Sequence, residues 1–276
     1  MPHNANTTVS TAVTAPPHCE TSHFYRQVLQ VFQQAHVPFL VGGAFALRHF
    51  TGIERDTKDL DLFIRKTDFE RACELLAQAG FTTELTFPHW LAKVYQGEAF
   101  IDLIFNSGNG LTLVDDEWFD HAAVADVLGM RVLVHPAEEM LWSKAFIMER
   151  ERYDGADVAH ILKACAATLD WPRLMRRFGP HWRVLLSHLV LFGFIYPELR
   201  HEVPAWVMAD LLQRADAELR PAQHDTDHVC RGTLLSRQQY LDDLAQAGFR
   251  DGRLDAPGTM TEEHIAIWTQ AITESR

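Results

Sequence analysis

Residues 39–64 read FLVGGAFALRHFTGIERDTKDLDLFI. Two aspartates, Asp59 and Asp61, interrupt a run that is otherwise apolar (DLDLFI). A strand sends alternate side chains to opposite faces, so Asp59 and Asp61 share one face, and Leu60, Leu62 and Ile64 face the core. Neighbouring carboxylates repel each other and are costly when buried. A divalent cation removes that cost, and magnesium is held by one or two carboxylates together with substrate phosphates. Upstream, residues 39–41 read as a short buried strand and 44–50 as a helix, with Gly42 and Gly43 between them. Backbone without Cβ lets a phosphate approach, and a helix start offers free N–H groups and a positive dipole.

Further along, residues 99–105 (AFIDLIF) form a strand with a single acidic residue, Asp102. If that strand neighbours the first, Asp102 is the natural third carboxylate, able to share metal binding and to deprotonate an attacking hydroxyl. The remaining pattern frames these pieces. Residues 23–35 have helical apolar spacing. Thr67 followed by Glu70 is a capping-box signature for a helix ending near Gly80. Residues 81–85 and 91–95 are strands, Gly97 a turn, and 124–134 a hairpin about Gly129. From Pro136 the periodicity becomes helical, over 136–148, 154–165, 182–195, 204–219, 236–246 and 261–272, with a polar break at 220–228.

The 276 residues suffice for one large or two ordinary domains. The net charge of −12 opposes long-range attraction to nucleic acid, which favours a small-molecule or protein acceptor over RNA. Cys19, Cys73, Cys165 and Cys230 form no CxxC pair. This pattern predicts a reduced, cytoplasmic setting. Residues 1–22 read as a disordered tail without signal-peptide character, and no run is long enough to span a bilayer.

The ordered set VGGAFAL, RDTKDLDL and FIDLIF resembles the nucleotidyltransferases of the DNA polymerase β superfamily. Those carry a glycine turn, an Asp-x-Asp pair and a later single Asp on a neighbouring strand. The segment with Arg55, Thr57, Asp59 and Asp61 is most similar to the bacterial branch that includes abortive-infection toxins and minimal nucleotidyltransferases. Similarity extends through VHPAEEMLWSKAFIMERERYDGADVAHIL and covers about residues 37–163. The stretch between Gly43 and Asp59 is longer than in compact members.

The periodicity predicts an α+β fold: a small mixed β-sheet core flanked by helices over residues 23–135, then a mostly helical C-terminal domain over 136–276. The resemblance agrees with the first part; beyond about Cys165 the chain resembles nothing. The resemblance implies transfer of a nucleoside monophosphate from an NTP such as ATP to an acceptor hydroxyl, with release of pyrophosphate. Asp59, Asp61 and Asp102 would be both catalytic residues and ligands of Mg²⁺ or Mn²⁺. Gly42, Gly43, Arg55, Thr57, Lys58 and Lys144 would bind the nucleotide. It also admits a toxin–antitoxin role with an antitoxin or homodimer partner.

Duller readings stand beside these. Lys144 is equally a solvated lysine. Asp154 and Asp157 with Arg150 and Arg152 are read first as a salt-bridge network joining two helices, and second as placing an arginine on the nucleotide. His160 is read as a packed histidine. In HDTDHVC (224–230) the ligands are too crowded to make a zinc site persuasive. A nucleotide- or partner-binding module without catalysis is the alternative class, and a metal-dependent hydrolase a third.

Overall fold

The computed structural model describes residues 17–219 and 228–274. The expected disordered tail falls largely on residues 1–16, and His224 and Asp227 of the HDTDHVC segment also lie outside the described residues. Helix α1 (Pro17–Gln34) begins six positions before the expected start at His23. Its stripe of Phe24, Tyr25, Val28, Leu29 and Phe32 is buried, as expected of an amphipathic helix on a core. Strand β1 (Leu40–Val41), helix α2 (Gly43–Thr51) and strand β2 (Asp61–Phe63) follow. Helix α3 (Phe69–Gln78) leads to β3 (Thr82–Phe87), β4 (Leu91–Gln96) and β5 (Ala99–Ile104). A short helix α4 (Asp116–Asp120) precedes β6 (Ala123–Val127) and β7 (Met130–Val134). At the β6–β7 turn both Leu128 and Gly129 have positive φ (54° and 75°), the conformation that two-residue hairpin loops favour.

These strands form one mixed seven-stranded sheet in the order β3-β4-β5-β2-β1-β7-β6. β2 runs parallel to β5 and antiparallel to β1, and β1 runs parallel to β7. Alternation decides what each face carries. Leu60, Leu62, Ile64, Ala92, Val94, Ile101 and Leu103 are buried in the core. The intervening Asp61, Lys93, Tyr95, Phe100 and Asp102 are half-buried on the opposite face.

The capping box expected at Thr67–Glu70 does not form. Residues Lys66–Asp68 make a 3-10 turn, α3 starts after it, and no side chain caps the helix. The Lys66 ammonium donates to the Pro88 carbonyl at 2.9 Å and lies 3.8 Å from the Phe105 ring centroid, which holds this segment against the β3–β4 connection.

The chain continues with α5 (Ala137–Ala145), α6 (Gly155–Cys165), α7 (Trp171–Phe178), α8 (Trp182–Ile195) and α9 (Ala205–Glu218). Helix α7 was not expected from the periodicity. Its Arg173 is buried and bonds Glu138 and Glu139 of α5 at 2.6 Å each, and Arg177 adds a 3.0 Å bond to Glu139. After α9 come strand β8 (Val229–Cys230), helix α10 (Leu241–Gln246), strand β9 (Arg250–Asp251) and helix α11 (Glu262–Glu274). The helix expected over 236–246 is confined to α10. Ser236 Oγ instead donates to Glu149 and accepts from the backbone N–H groups of Gln238 and Gln239, local bonds that compete with helix formation.

This last segment packs back on the sheet. Asn106 Nδ2 donates to Thr259 Oγ1 and Asn109 Nδ2 to the Leu234 carbonyl, each at 2.8 Å. Trp268 of α11 stands edge-on to Phe87 and Trp90. No described helix is long and apolar enough to cross a membrane.

Candidate active site

Asp61 and Asp102 are register partners on the parallel strands β2 and β5. Register partners in a parallel pair project to the same face, so these two carboxylates are neighbours on the open side of the sheet. Asp59 precedes β2 by two residues and is held by Thr57. The Thr57 hydroxyl lies 2.8 Å from Asp59 Oδ1 and 3.0 Å from the Asp59 carbonyl. Thr57 therefore acts on the acidic pair rather than standing free in the loop.

The three carboxylates feel one another. Burial, then Asp59 and Asp102, push the Asp61 carboxyl up to about 7, against the pull of Lys144 and Arg152. Asp102 is raised too, by burial first; Lys93 opposes the rise and Asp59 adds to it. Like charges held together in a poorly solvated place disfavour ionisation. Lys93 Nζ bonds Asp102 Oδ1 at 2.5 Å. Among the described residues no three His, Cys, Asp or Glu side chains converge closely enough to hold an ion as they stand. The donor set nevertheless suits a hard divalent cation: oxygen ligands only, on one face, with a mutual repulsion that a cation would relieve.

Tyr25 borders this site, and the sequence reading did not single it out. It is buried on α1, and its hydroxyl donates to the Lys58 carbonyl at 3.1 Å. Burial and the charges of Asp59, Asp61 and Asp102 push its hydroxyl up to about 12, so it stays a neutral donor. Lys58 contributes this carbonyl, and it is exposed.

The glycine pair is demanded by packing. A β-carbon on Gly42 would meet the Phe63 ring and lie 2.9 Å from His135 Cδ2. One on Gly43 would overlap the Asp61 carboxylate. Gly43 also has φ +54°, where side-chain-bearing residues are strained. Below the pair His135 is buried and packs on Phe63 and Trp118. Burial first, then Lys144, lower its pKa to about 3, so the ring is neutral.

Lys144, in the last turn of α5, is neither solvated nor free. Its Nζ bonds Asp154 at 2.9 Å and Asp157 at 2.8 Å. Arg55 reaches across from the loop to Asp157 at 2.5 Å, and Arg152 grips Asp154 at 3.1 and 3.2 Å. The result is an alternating chain, Arg55–Asp157–Lys144–Asp154–Arg152, at the start of α6, where carboxylates also meet the favourable end of the helix dipole. The sequence suggested a network of Asp154 and Asp157 with Arg150 and Arg152. Arg152 is in it, Arg150 is not part of this chain of ion pairs, and Lys144 and Arg55 take part instead. The contribution of Lys93 is invisible to motif reading, because its meaning depends on which strand lies beside β4.

The mixed sheet carries acidic residues on neighbouring parallel strands beside a glycine turn into a helix, the arrangement that the sequence resemblance implies. The chain belongs to the family described as "Uncharacterised nucleotidyltransferase", whose model matches residues 22–182, more than half of its length. It is an enzyme of the nucleotidyltransferase type. No curated protein matches the sequence. Among solved structures, the antibiotic-resistance factor ANT(2'')-Ia is similar at 14% identity, over 72% of this chain and 95% of that one, with a TM-score of 0.38. The lincosamide antibiotic adenylyltransferase LnuA shares 15% identity over 51% of this chain and 95% of its own, with a TM-score of 0.38. An antigenic nucleotidyltransferase-like protein from Paracoccidioides brasiliensis shares 14% identity over 67% and 92%, with a TM-score of 0.43. Likeness of this degree carries no information about the acceptor.

Proposed function

We propose that the enzyme transfers a nucleoside monophosphate from an NTP to an acceptor hydroxyl, releasing pyrophosphate, with Asp59, Asp61 and Asp102 as the metal-binding and catalytic residues. The observation that supports this most directly is the parallel register of Asp61 with Asp102, beside a glycine that makes room for the Asp61 carboxylate. Magnesium or manganese, when bound, would supply Lewis-acid polarisation and neutralise phosphate charge.

The chain's own residues account for the rest. Asp59, oriented by Thr57, and Asp61, backed by Gly43, are the principal ligands. Asp102 completes the set and accepts the proton of the acceptor hydroxyl. Gly43, at the start of α2, is the backbone N–H candidate for the phosphates, whereas the N–H of Gly42 is taken by the Asp61 carbonyl at 2.9 Å, so Gly42 serves the site by close packing. Lys144 and Arg152 supply positive potential beside Asp61, which favours the anionic triphosphate. Arg55 and Lys58 border the same loop as nucleotide-contact candidates. Phosphoryl transfer rewards positioning and charge neutralisation more than covalent chemistry. Residues 23–135 would thus carry the chemistry, and residues 136–276 would close the cleft through α5 and α6.

The acceptor is a small molecule or a protein in this reading, since the net charge of −12 disfavours RNA. The test pairs wild type with the Asp59→Ala/Asp61→Ala variant. Each is incubated with Mg²⁺ or Mn²⁺, cell extract, and NTPs labelled at the α- or γ-phosphate. Transfer of the α label alone, lost in the variant, is the expected result. Nucleotide binding without transfer would replace the reading with a binding module. NTP breakdown without a labelled product would replace it with a hydrolase.

A further inference from the structure

A row of charged side chains crosses four adjacent strands. Glu84 of β3, Lys93 of β4, Asp102 of β5 and Asp61 of β2 are successive register partners. Within that row Lys93 Nζ is held from the β5 side. Its neighbours Ala92 and Val94 are buried, so strand alternation points its side chain to the open face. Its Nζ lies 3.9 Å from the Phe100 ring centroid and bonds Asp102 Oδ1 at 2.5 Å. Its other register neighbour, Glu84, is exposed and pairs with Lys93 in no described ion pair or hydrogen bond. Lys93 is thereby committed to Asp102, and the described hydrogen bonds leave Asp102 Oδ2 uncommitted.

We propose that Lys93 is a positioning residue for transfer: it pins Asp102 through Oδ1 and so presents Oδ2 to the space shared with Asp59 and Asp61. The inference rests on the proposed metal-centre reading and goes beyond it, because it assigns opposite signs to two measurable effects of one residue. An ammonium beside the site repels a divalent cation, so Lys93 weakens metal binding. The same ammonium fixes the carboxylate that receives the acceptor proton, and misplacement of such a group slows the reaction. Metal affinity is therefore traded for turnover. A lysine that merely held β4 to β5 would have the opposite signature: its loss would loosen the site and weaken metal binding along with activity.

The experiment compares wild type, Lys93→Met and Lys93→Arg. Mn²⁺ affinity is measured by electron paramagnetic resonance, and α-label transfer from NTP into cell-extract acceptors is measured at saturating Mn²⁺. Lys93→Met is expected to bind Mn²⁺ at least as tightly as wild type and to transfer about 100-fold more slowly. Lys93→Arg, which keeps a cationic donor, is expected to recover most of the rate. Transfer by Lys93→Met within about twofold of wild type, weaker Mn²⁺ binding in that variant, or no recovery in Lys93→Arg would overturn the inference. Wild-type protein that neither binds Mn²⁺ nor transfers label would instead overturn the metal-centre reading, and this inference with it. An active wild type with an unaffected Lys93→Met overturns the inference alone.

Discussion

Gly43 and Asp61 share one volume: a β-carbon on Gly43 would sit 2.8 Å from Asp61 Cγ and closer still to its Oδ2. The glycine at the start of α2 and the acidic strand are therefore parts of one device. Gly43→Ala should displace the Asp61 carboxylate and force a side chain into a left-handed backbone, the latter alone costing about 1–2 kcal/mol. Transfer is expected to fall about 100-fold, with a lower melting temperature. A Gly43→Ala enzyme with wild-type transfer would show that this carboxylate need not stay where it is.

Protonation of Asp61 gives a pH signature. Its carboxyl rises to about 7 in the folded protein, above the unfolded value, so the folded state binds the extra proton between those limits. The contribution to stability is present at acid pH, below the unfolded value, and is lost as pH rises through about 7. Metal-free wild type should lose stability over that window in chemical denaturation, and Asp61→Asn should lose less. Added Mn²⁺ should stabilise wild type more at pH 8 than at pH 5, since cation and proton compete for one group.

Tyr25 ties α1 to the loop before the acidic pair through its bond to the Lys58 carbonyl. Tyr25→Phe keeps the ring and removes the donor. A loss of roughly 0.5–1.5 kcal/mol is expected, read as a shift in the denaturation midpoint. Because the lost bond lies beside Asp59, Mn²⁺ affinity should weaken as well. Unchanged affinity would confine Tyr25 to the core.

Arg173 neutralises two buried glutamates between α5 and α7. Arg173→Met would leave Glu139 to Arg177 and Glu138 to the Asp170 backbone N–H, and breaking such a pair costs about 3–5 kcal/mol. The expected outcome is strong destabilisation in thermal and chemical unfolding. Replacing all three partners together (Arg173→Met with Glu138→Gln and Glu139→Gln) should restore much of it. Failure of the triple variant to recover would point to a role in packing rather than charge.

Much of the fold was legible because period and punctuation agreed. The alternation in DLDLFI assigned Leu60, Leu62 and Ile64 to the core and both aspartates to the other face, and burial follows that division. Gly129 marked a hairpin that exists. Misses fell where local bonds outbid periodicity, as at Ser236, or where an element is stabilised by distant partners, as α7 is by the glutamates of α5.

Sequence by itself determined which residues could be acidic neighbours on a strand, where backbone had to be bare, and which family the pattern resembles, because strand alternation and glycine geometry are local properties. Strand order was decided by tertiary structure alone. It brought β5 beside β2 and β4 beside β5, so that Asp102 meets Asp61 on one side and Lys93 on the other. It also drew Lys144 and Arg55 onto the carboxylates of α6. The physical reason is that charge–charge energies depend on separation in space, and separation along the chain does not set it.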